Sequence, residues 1–419
     1  MTYEASLSFA QDQDQVDPLF SFRERFLFPK HEGKDVVYFC GNSLGLQPKS
    51  TSYLMQSELE DWAAHGVEGH FRARNPWFSY HHLFTERLSR IVGAKPNEVV
   101  AMNTLTVNLH LLMISFYRPT SQRYKIIMEA GAFPSDQYAV ETQVRMHGYE
   151  PEDAIIEIKP RDGEHTINEE DIYTAISEAG PSLALVMFGG VNYYTGQFFN
   201  LQAITAAAHK AGAYAGFDLA HAVGNTPLQL HDWNVDFACW CSYKYLNSGP
   251  GAVGGVYVHE HHAANPKTLR LAGWWGNDEA TRFKMEKGFV PKPTAESWQM
   301  SNAQVFNMVA HNASLDIYAK TSMAALRAKS EKLTGYMEFL LRQITGLSFT
   351  IITPHNPAQR GCQLSLLFSE RGREVFDKLT AAGVVADWRE PNVIRIAPVP
   401  LYNTFEDCYR FYEVLKNLG

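Results

Sequence analysis

Apolar and polar positions along this chain follow two rhythms that take turns. Short, nearly continuous apolar runs, the kind that fill strands covered on both faces, fall at 124–129, 154–158, 183–188, 235–241 and 252–258. Between them lie stretches with helical spacing or helix-forming composition. These are 51–64 (with Leu54, Leu59 and Trp62), a run ending at Phe116, another from Pro134 to Met146, then 169–177 and 201–212. Strand followed by helix, repeated, predicts an α/β large domain: a mainly parallel mixed sheet flanked by helices. Beyond 305 the pattern changes. A long amphipathic helix over 305–344 leads to a strand at 363–368, a helix at 373–382, a strand at 393–397 and a terminal helix from Phe405. That reads as a smaller α+β C-terminal domain. The expected division is 1–50 as N-terminal arm and small-domain contribution, 51–304 as large domain, and 305–419 as linking helix plus small domain. A short strand at 35–40 and a glycine loop at 41–45 lead out of the arm.

Two of the strand ends carry chemistry. The run at 235–241 delivers Ser242, Tyr243 and Lys244 to its C-terminal end, before the turn Ser248-Gly249-Pro250-Gly251 reverses the chain. Partial shielding from water there makes an amine a better nucleophile toward an aldehyde. Upstream, Gly216-Phe217-Asp218 closes another apolar run on an acid. Strand, helix, strand ending in Asp, loop, strand ending in Lys is the order of adjacent parallel strands whose C-terminal ends share one crevice. Singly, Lys244 reads as a surface lysine and Asp218 as a cap or turn residue. Paired, they suit pyridoxal phosphate: the carboxylate keeps the ring nitrogen protonated and the lysine carries the aldehyde. Asn103-Thr104-Leu105-Thr106 opens a helix with hydroxyls and free amides, a phosphate cradle or simply a threonine cap. Phe133-Pro134-Ser135-Asp136 opens another, with Pro134 suited to the first turn. Phe133 there is either a hydrophobic staple or a platform for a ring. Asp136 is either a capping acid or a site carboxylate.

Composition narrows the class. The 419 residues are 45% hydrophobic and 20% charged, ordinary for a water-exposed globular protein with a large core. The net charge of −8 argues against nucleic acid or anionic membrane as the main partner. Two arginines beside aromatics at 69–77 are too isolated to reverse that. The first 18 residues are acidic and polar, unlike a signal peptide, and no apolar run reaches membrane-spanning length. Five thinly spread cysteines make no disulfide framework, and Cys239 and Cys241 alternate on one strand, so no metal site is expected from them. A reduced, cytoplasmic setting is the expectation.

Several longer blocks carry a resemblance. They are Phe133-Pro134-Ser135-Asp136, Asp218-Leu219-Ala220-His221-Ala222-Val223-Gly224-Asn225, and the run from Cys239 to Asn247. Tyr38-Phe39-Cys40-Gly41-Asn42-Ser43-Leu44-Gly45-Leu46 and the stretch from Ile394 to Asn403 extend it to nearly the whole chain. In these the sequence resembles the kynureninases, pyridoxal-phosphate hydrolases of the aspartate aminotransferase superfamily (fold type I). The resemblance implies Lys244, Tyr243 and Asp218 as catalytic residues. It implies cofactor contacts from Leu105, Thr106, Phe133, Pro134, Ser135, Asp136, Asp218, His221, Tyr243 and Lys244, with Phe133 flat on the pyridine ring. Trp274 and Asn302 would reach the phosphate region from a neighbouring subunit, so a homodimer is implied. Ser43, His70, Ser301, Asn302 and Arg395 would contact substrate, Arg395 gripping its α-carboxylate. Where many members of that family have a serine near the phosphate, this chain has Gly189, which leaves only a backbone amide there.

The reaction so implied is hydrolysis of L-kynurenine or 3-hydroxy-L-kynurenine at the Cβ–Cγ bond, giving an anthranilate and L-alanine. His70, Ser301 and Asn302 resemble the trio of members that prefer the 3-hydroxylated substrate. Two other readings compete. One is a different lyase of the fold such as a cysteine desulfurase, for which Cys362 is the only cysteine in the right region and is expected on a strand. The other is a non-catalytic binding module that keeps the fold.

Overall fold

The computed structural model describes residues 2–419. Its centre is a seven-stranded sheet made of β1 (Val99–Met102), β2 (Lys125–Glu129), β3 (Ile155–Ile158), β4 (Leu183–Gly189), β5 (Tyr214–Asp218), β6 (Phe237–Cys241) and β7 (Gly254–Val258), in the order β1-β7-β6-β5-β4-β2-β3. Strands β3, β2, β4, β5 and β6 are parallel, while β7 runs antiparallel to both neighbours. The five apolar runs anticipated from the sequence are all strands of this sheet, within one or two residues at each end. All but the edge strand β3, where Glu157 is exposed, are apolar on both sides because both faces are covered. Ala238 and Trp240 of β6 enter one core cluster, and Phe237 and Cys239 enter another on the opposite face.

The covering helices include α1 (Leu105–Phe116), α2 (Pro134–Met146) and α3 (Leu201–Lys210). Asn200 caps α3, its side chain accepting the Ala203 amide. All the parallel strands end at one edge of the sheet, and β1 ends there too. That edge gathers Glu129, Gly189, Asp218 and the Tyr243–Lys244 segment.

A second core joins the two ends of the chain. The strands Phe349–Ile351, Leu364–Phe368, Val393–Ile396 and Asp387–Arg389 form an antiparallel sheet, with Phe405–Lys416 and Met323–Leu341 packed against it. Residues Leu7–Gln15 form a helix whose Asp14 accepts the amides of Phe405 (2.7 Å) and Glu406 (3.0 Å), adding a second cap to the terminal helix. Val37–Tyr38 pairs in parallel with Val384–Val385.

The single helix expected over 305–344 is two helices, Val305–Tyr318 and Met323–Leu341. The break falls where Ser322 turns extended (φ −132°, ψ 155°) and takes the Ala325 amide on its hydroxyl. The strand expected at 35–40 is instead two brief pairings, Lys34–Asp35 with Lys30–His31 and Val37–Tyr38 with the C-terminal unit.

Candidate active site

Strand β6 is fully buried, and it places Lys244 just past its end, beside the end of β5. The amine donates to Nε2 of His221 at 2.9 Å and lies 5.9 Å from the centre of the Phe133 ring. The backbone beneath it is clamped. Gly45 donates its amide to the Tyr243 carbonyl (2.8 Å), and a Cβ on Gly45 would meet the Lys244 carbonyl and the Asn247 side chain. Asn42 extends the clamp to Gln363 with a 2.9 Å hydrogen bond.

Asp218 and Lys244 line the same cleft, joined by Leu105, Thr106, Phe133, Ser135, Asp136, His221 and Tyr243. The cleft holds about 540 Å³ of atom-free space, counting its open mouth. Asp218 accepts the Ala220 amide at 2.7 Å, while burial raises its carboxyl pKa from the ordinary value. Asp136 is pushed up further, first by burial and then by the charge of Asp218, with which it is hydrogen-bonded. Each carboxylate therefore disfavours ionisation of the other, the burden falling more on Asp136. Asp136 is thus a site carboxylate and not merely a cap. Its Oδ1 is buried without a hydrogen-bond partner, as is Nδ1 of His221. Burial first, and then Lys244, hold His221 well below the usual imidazole range, so it is neutral and accepts from the amine.

At the other end of the cleft, the first amides of α1 at Leu105 and Thr106 have no intrahelical acceptor, and the Thr106 and Ser135 hydroxyls meet at 2.7 Å. Pro134 occupies the first turn of α2. Phe133, 43% exposed, offers its face to the cleft and packs edge-on against Tyr193 at 5.3 Å. A basic amine, a strand-end carboxylate, an unfilled aromatic face and a helix N-terminus fit pyridoxal phosphate. The two orphaned polar atoms, on Asp136 and His221, add to that fit.

Sequence reasoning missed several cleft residues, Val191, Tyr193 and above all Glu129. Glu129, at the end of β2, is buried, accepts from Asn192 Nδ2 (2.8 Å) and from the Gly189 amide (3.3 Å), and is raised to about 7 by burial. A strand-end acid before a glycine turn gives no signal of this. It also corrects the expectation for Gly189. That amide is committed to Glu129 rather than free for a phosphate, and a Cβ at 189 would lie 2.6 Å from Glu129 Oε1.

Arg395 is 1% exposed, behind Tyr193. Its Nη1 donates to the Tyr193 carbonyl (2.6 Å) and its Nε to Asp387 (2.9 Å). Nη2 is 2.7 Å from Asp387 Oδ1 but makes no aligned hydrogen bond, which leaves a buried donor unused. Ser43 is half-buried, its amide on the Cys40 carbonyl, and does not line the cleft.

Four expected residues lie elsewhere on this protomer. His70 and Asn302 share a separate pocket with Trp62, Trp77 and Phe306, and Ser301, next to Asn302, is exposed. Trp274 is 51% exposed beside a wider cleft formed within 272–290. Cys362 is not on a strand. It precedes Leu364–Phe368, is fully buried, donates its amide to Asn225, and has its thiol pushed up to about 12 by burial. A mobile-loop nucleophile it is not.

Comparison with known proteins follows the same line. Residues 326–415 match the family model described as Kynureninase C-terminal domain. A protein named Kynureninase from Flavobacterium psychrophilum is 55% identical over 419 residues, spanning 99% of each chain. Among solved structures, a cysteine desulfurase from Escherichia coli superposes with a TM-score of 0.76 at 17% identity, over 96% of this chain and 98% of that one. A C-DES mutant with glycine covalently linked to the PLP cofactor gives 0.75 at 16%, over 91% and 96%. At such identities the structural likeness is one of fold.

Proposed function

The chain belongs to the kynureninase family, and on that premise we propose that it binds pyridoxal 5′-phosphate and hydrolyses 3-hydroxy-L-kynurenine in preference to L-kynurenine. Cleavage of a carbon–carbon bond in kynurenine by hydrolysis is the family's activity. The observation that carries the cofactor is Lys244 and Asp218 lining one cleft under Phe133. When bound, the cofactor supplies an electron sink for charge developing at the substrate's Cα.

The rest falls to this chain's own groups. Phe133 and Asp218 hold the ring, Asp218 by pairing with its protonated nitrogen. Leu105, Thr106, Ser135 and Tyr243 hold the phosphate end. Arg395 takes the α-carboxylate through its unused Nη2, which orients the Cα–H bond. Lys244 moves the proton at Cα. Neutral His221 keeps the amine in reach without adding a competing charge. Water adds at the γ-carbonyl, and Tyr243, beside Lys244, is the acid–base group for the departing fragment.

The preference for the hydroxylated substrate rests on His70, Ser301 and Asn302, supplied by a partner subunit together with Trp274. The exposed rings of Phe71, Phe283 and Trp274, linked through half-buried Phe78 at 5.5–5.8 Å between ring centres, support an interface there. The working division remains 1–50, 51–304 and 305–419. Assay of both substrates tests the reading. We expect higher kcat/KM for the hydroxylated one; equal or better values for kynurenine would sink the preference and leave the family activity intact.

A further inference from the structure

At the far end of β6 from Lys244, four imidazoles form a connected run. His231 stacks on His259 (5.0 Å between ring centres), His259 meets His261 (4.1 Å) and His261 meets His262 (3.9 Å). The run is anchored at one end by buried Glu98 and at the other by buried Asp236. We propose that Asp236, His261 and His262 form a binding site for one divalent zinc-class cation, unconnected with the cleavage reaction.

The argument is one of lone pairs. His262 Nε2 lies 2.6 Å from Asp236 Oδ1 and 2.8 Å from His261 Nε2. An imidazole nitrogen presents either one N–H or one lone pair in the ring plane. If His262 Nε2 carries the hydrogen, Asp236 uses it and His261 faces a donor it cannot serve. If His261 carries it, the His262 lone pair faces the carboxylate oxygen. A single cation takes one lone pair from each of the three atoms, and any hydrogen on a ligating Nε2 moves by way of solvent to Nδ1 of the same ring, which stays neutral. The three ligand atoms all lie within 4.8 Å of one another. Tetrahedral ligands on bonds of about 2.0 Å sit roughly 3.3 Å apart, so the two close pairs must open by about 0.5–0.7 Å. His261, on the surface, is free to swing.

The second oxygen of Asp236 is already fixed by the Ala215 amide (2.7 Å) and His209 Nε2 (2.8 Å), the outer support that orients a ligating carboxylate. Two imidazoles, one carboxylate and a solvent-facing fourth position suit zinc rather than calcium or magnesium.

The two comparable triads are already satisfied. Glu98 Oε1 accepts from both His231 and the Glu260 amide. Glu296, between His81 and His82, already pairs with the Lys292 ammonium.

The test is calorimetric titration of ZnCl2 into the full-length protein after chelator treatment and desalting. We expect one zinc per chain, bound roughly tenfold or more weakly by His261→Ala and by His262→Ala, with His231→Ala unchanged. Metal-free His261→Ala should cleave kynurenine at the wild-type rate. Failure of the wild type to bind one zinc, undiminished binding by both variants, or loss on His231→Ala instead would each overturn the assignment.

Discussion

Lys244 stands between an imidazole and an aromatic face, and nothing else near it can carry an aldehyde in the same way. Borohydride should trap cofactor on the wild type, and Lys244→Ala should abolish the trapping; label persisting on another lysine would refute the role. At Arg395 the planar fork matters as much as the charge. Arg395→Lys should raise KM about tenfold or more with a smaller fall in kcat, because an ammonium cannot keep the guanidinium's fixed contacts to Tyr193 and Asp387 while presenting a further N–H to the carboxylate. Glu129 makes a pH prediction. Its folded pKa of about 7 lies above the ordinary 4.5, so the stability this group contributes is present in full below about 4.5 and lost as pH rises through 7. Denaturant titrations from pH 5 to 7.5 should show a shallower decline for Glu129→Gln than for the wild type. The Lys–Asp pair was legible because each closes an apolar run on a charge. Glu129 was not, since its partners Asn192 and Gly189 are about 60 residues away in the chain.

Among elements, the reading succeeded where strands are buried on both faces and failed where they are short or capped from within. The five apolar runs became β2 to β4, β6 and β7. The strands Phe349–Ile351 and Asp387–Arg389 were missed because they are three residues long and only partly buried. The break before Met323 had a signal in Ser322, but helical spacing on both sides outweighed it. The glycine loop at 41–45 was legible as a loop, though not as a clamp on the lysine's backbone. Gly45→Ala should cost about 1–3 kcal/mol of stability through overpacking and reduce the fraction of chains that trap cofactor. Unchanged unfolding midpoints and trapping would show the clamp to be dispensable.

For the molecule as a whole, His70, Trp274 and Asn302 lie apart from the Lys244 cleft, and the roles proposed for them call for a second subunit. If the partner supplies them, Lys244→Ala and Trp274→Ala chains, each inactive alone, should complement when mixed under exchanging conditions. Random pairing gives half heterodimers with one intact site in each, hence about a quarter of wild-type activity. No recovery, with heterodimers demonstrated by mass, would place Trp274 outside the partner's site. No helix among the described residues is long and apolar enough to cross a membrane.

The bond from Asp14 to the start of the last helix has a consequence for how the protein comes into being. The helix Leu7–Gln15 is made well before the helices Met323–Leu341 and Phe405–Lys416 on which it settles, whereas the central sheet is contiguous and can form during synthesis. Arg395 belongs to the later-made core that this bond closes. Lys244 and Asp218 can therefore come together before Arg395 is in place, and if Arg395 anchors the substrate as proposed, deleting the helix Leu7–Gln15 should weaken substrate binding more than cofactor trapping.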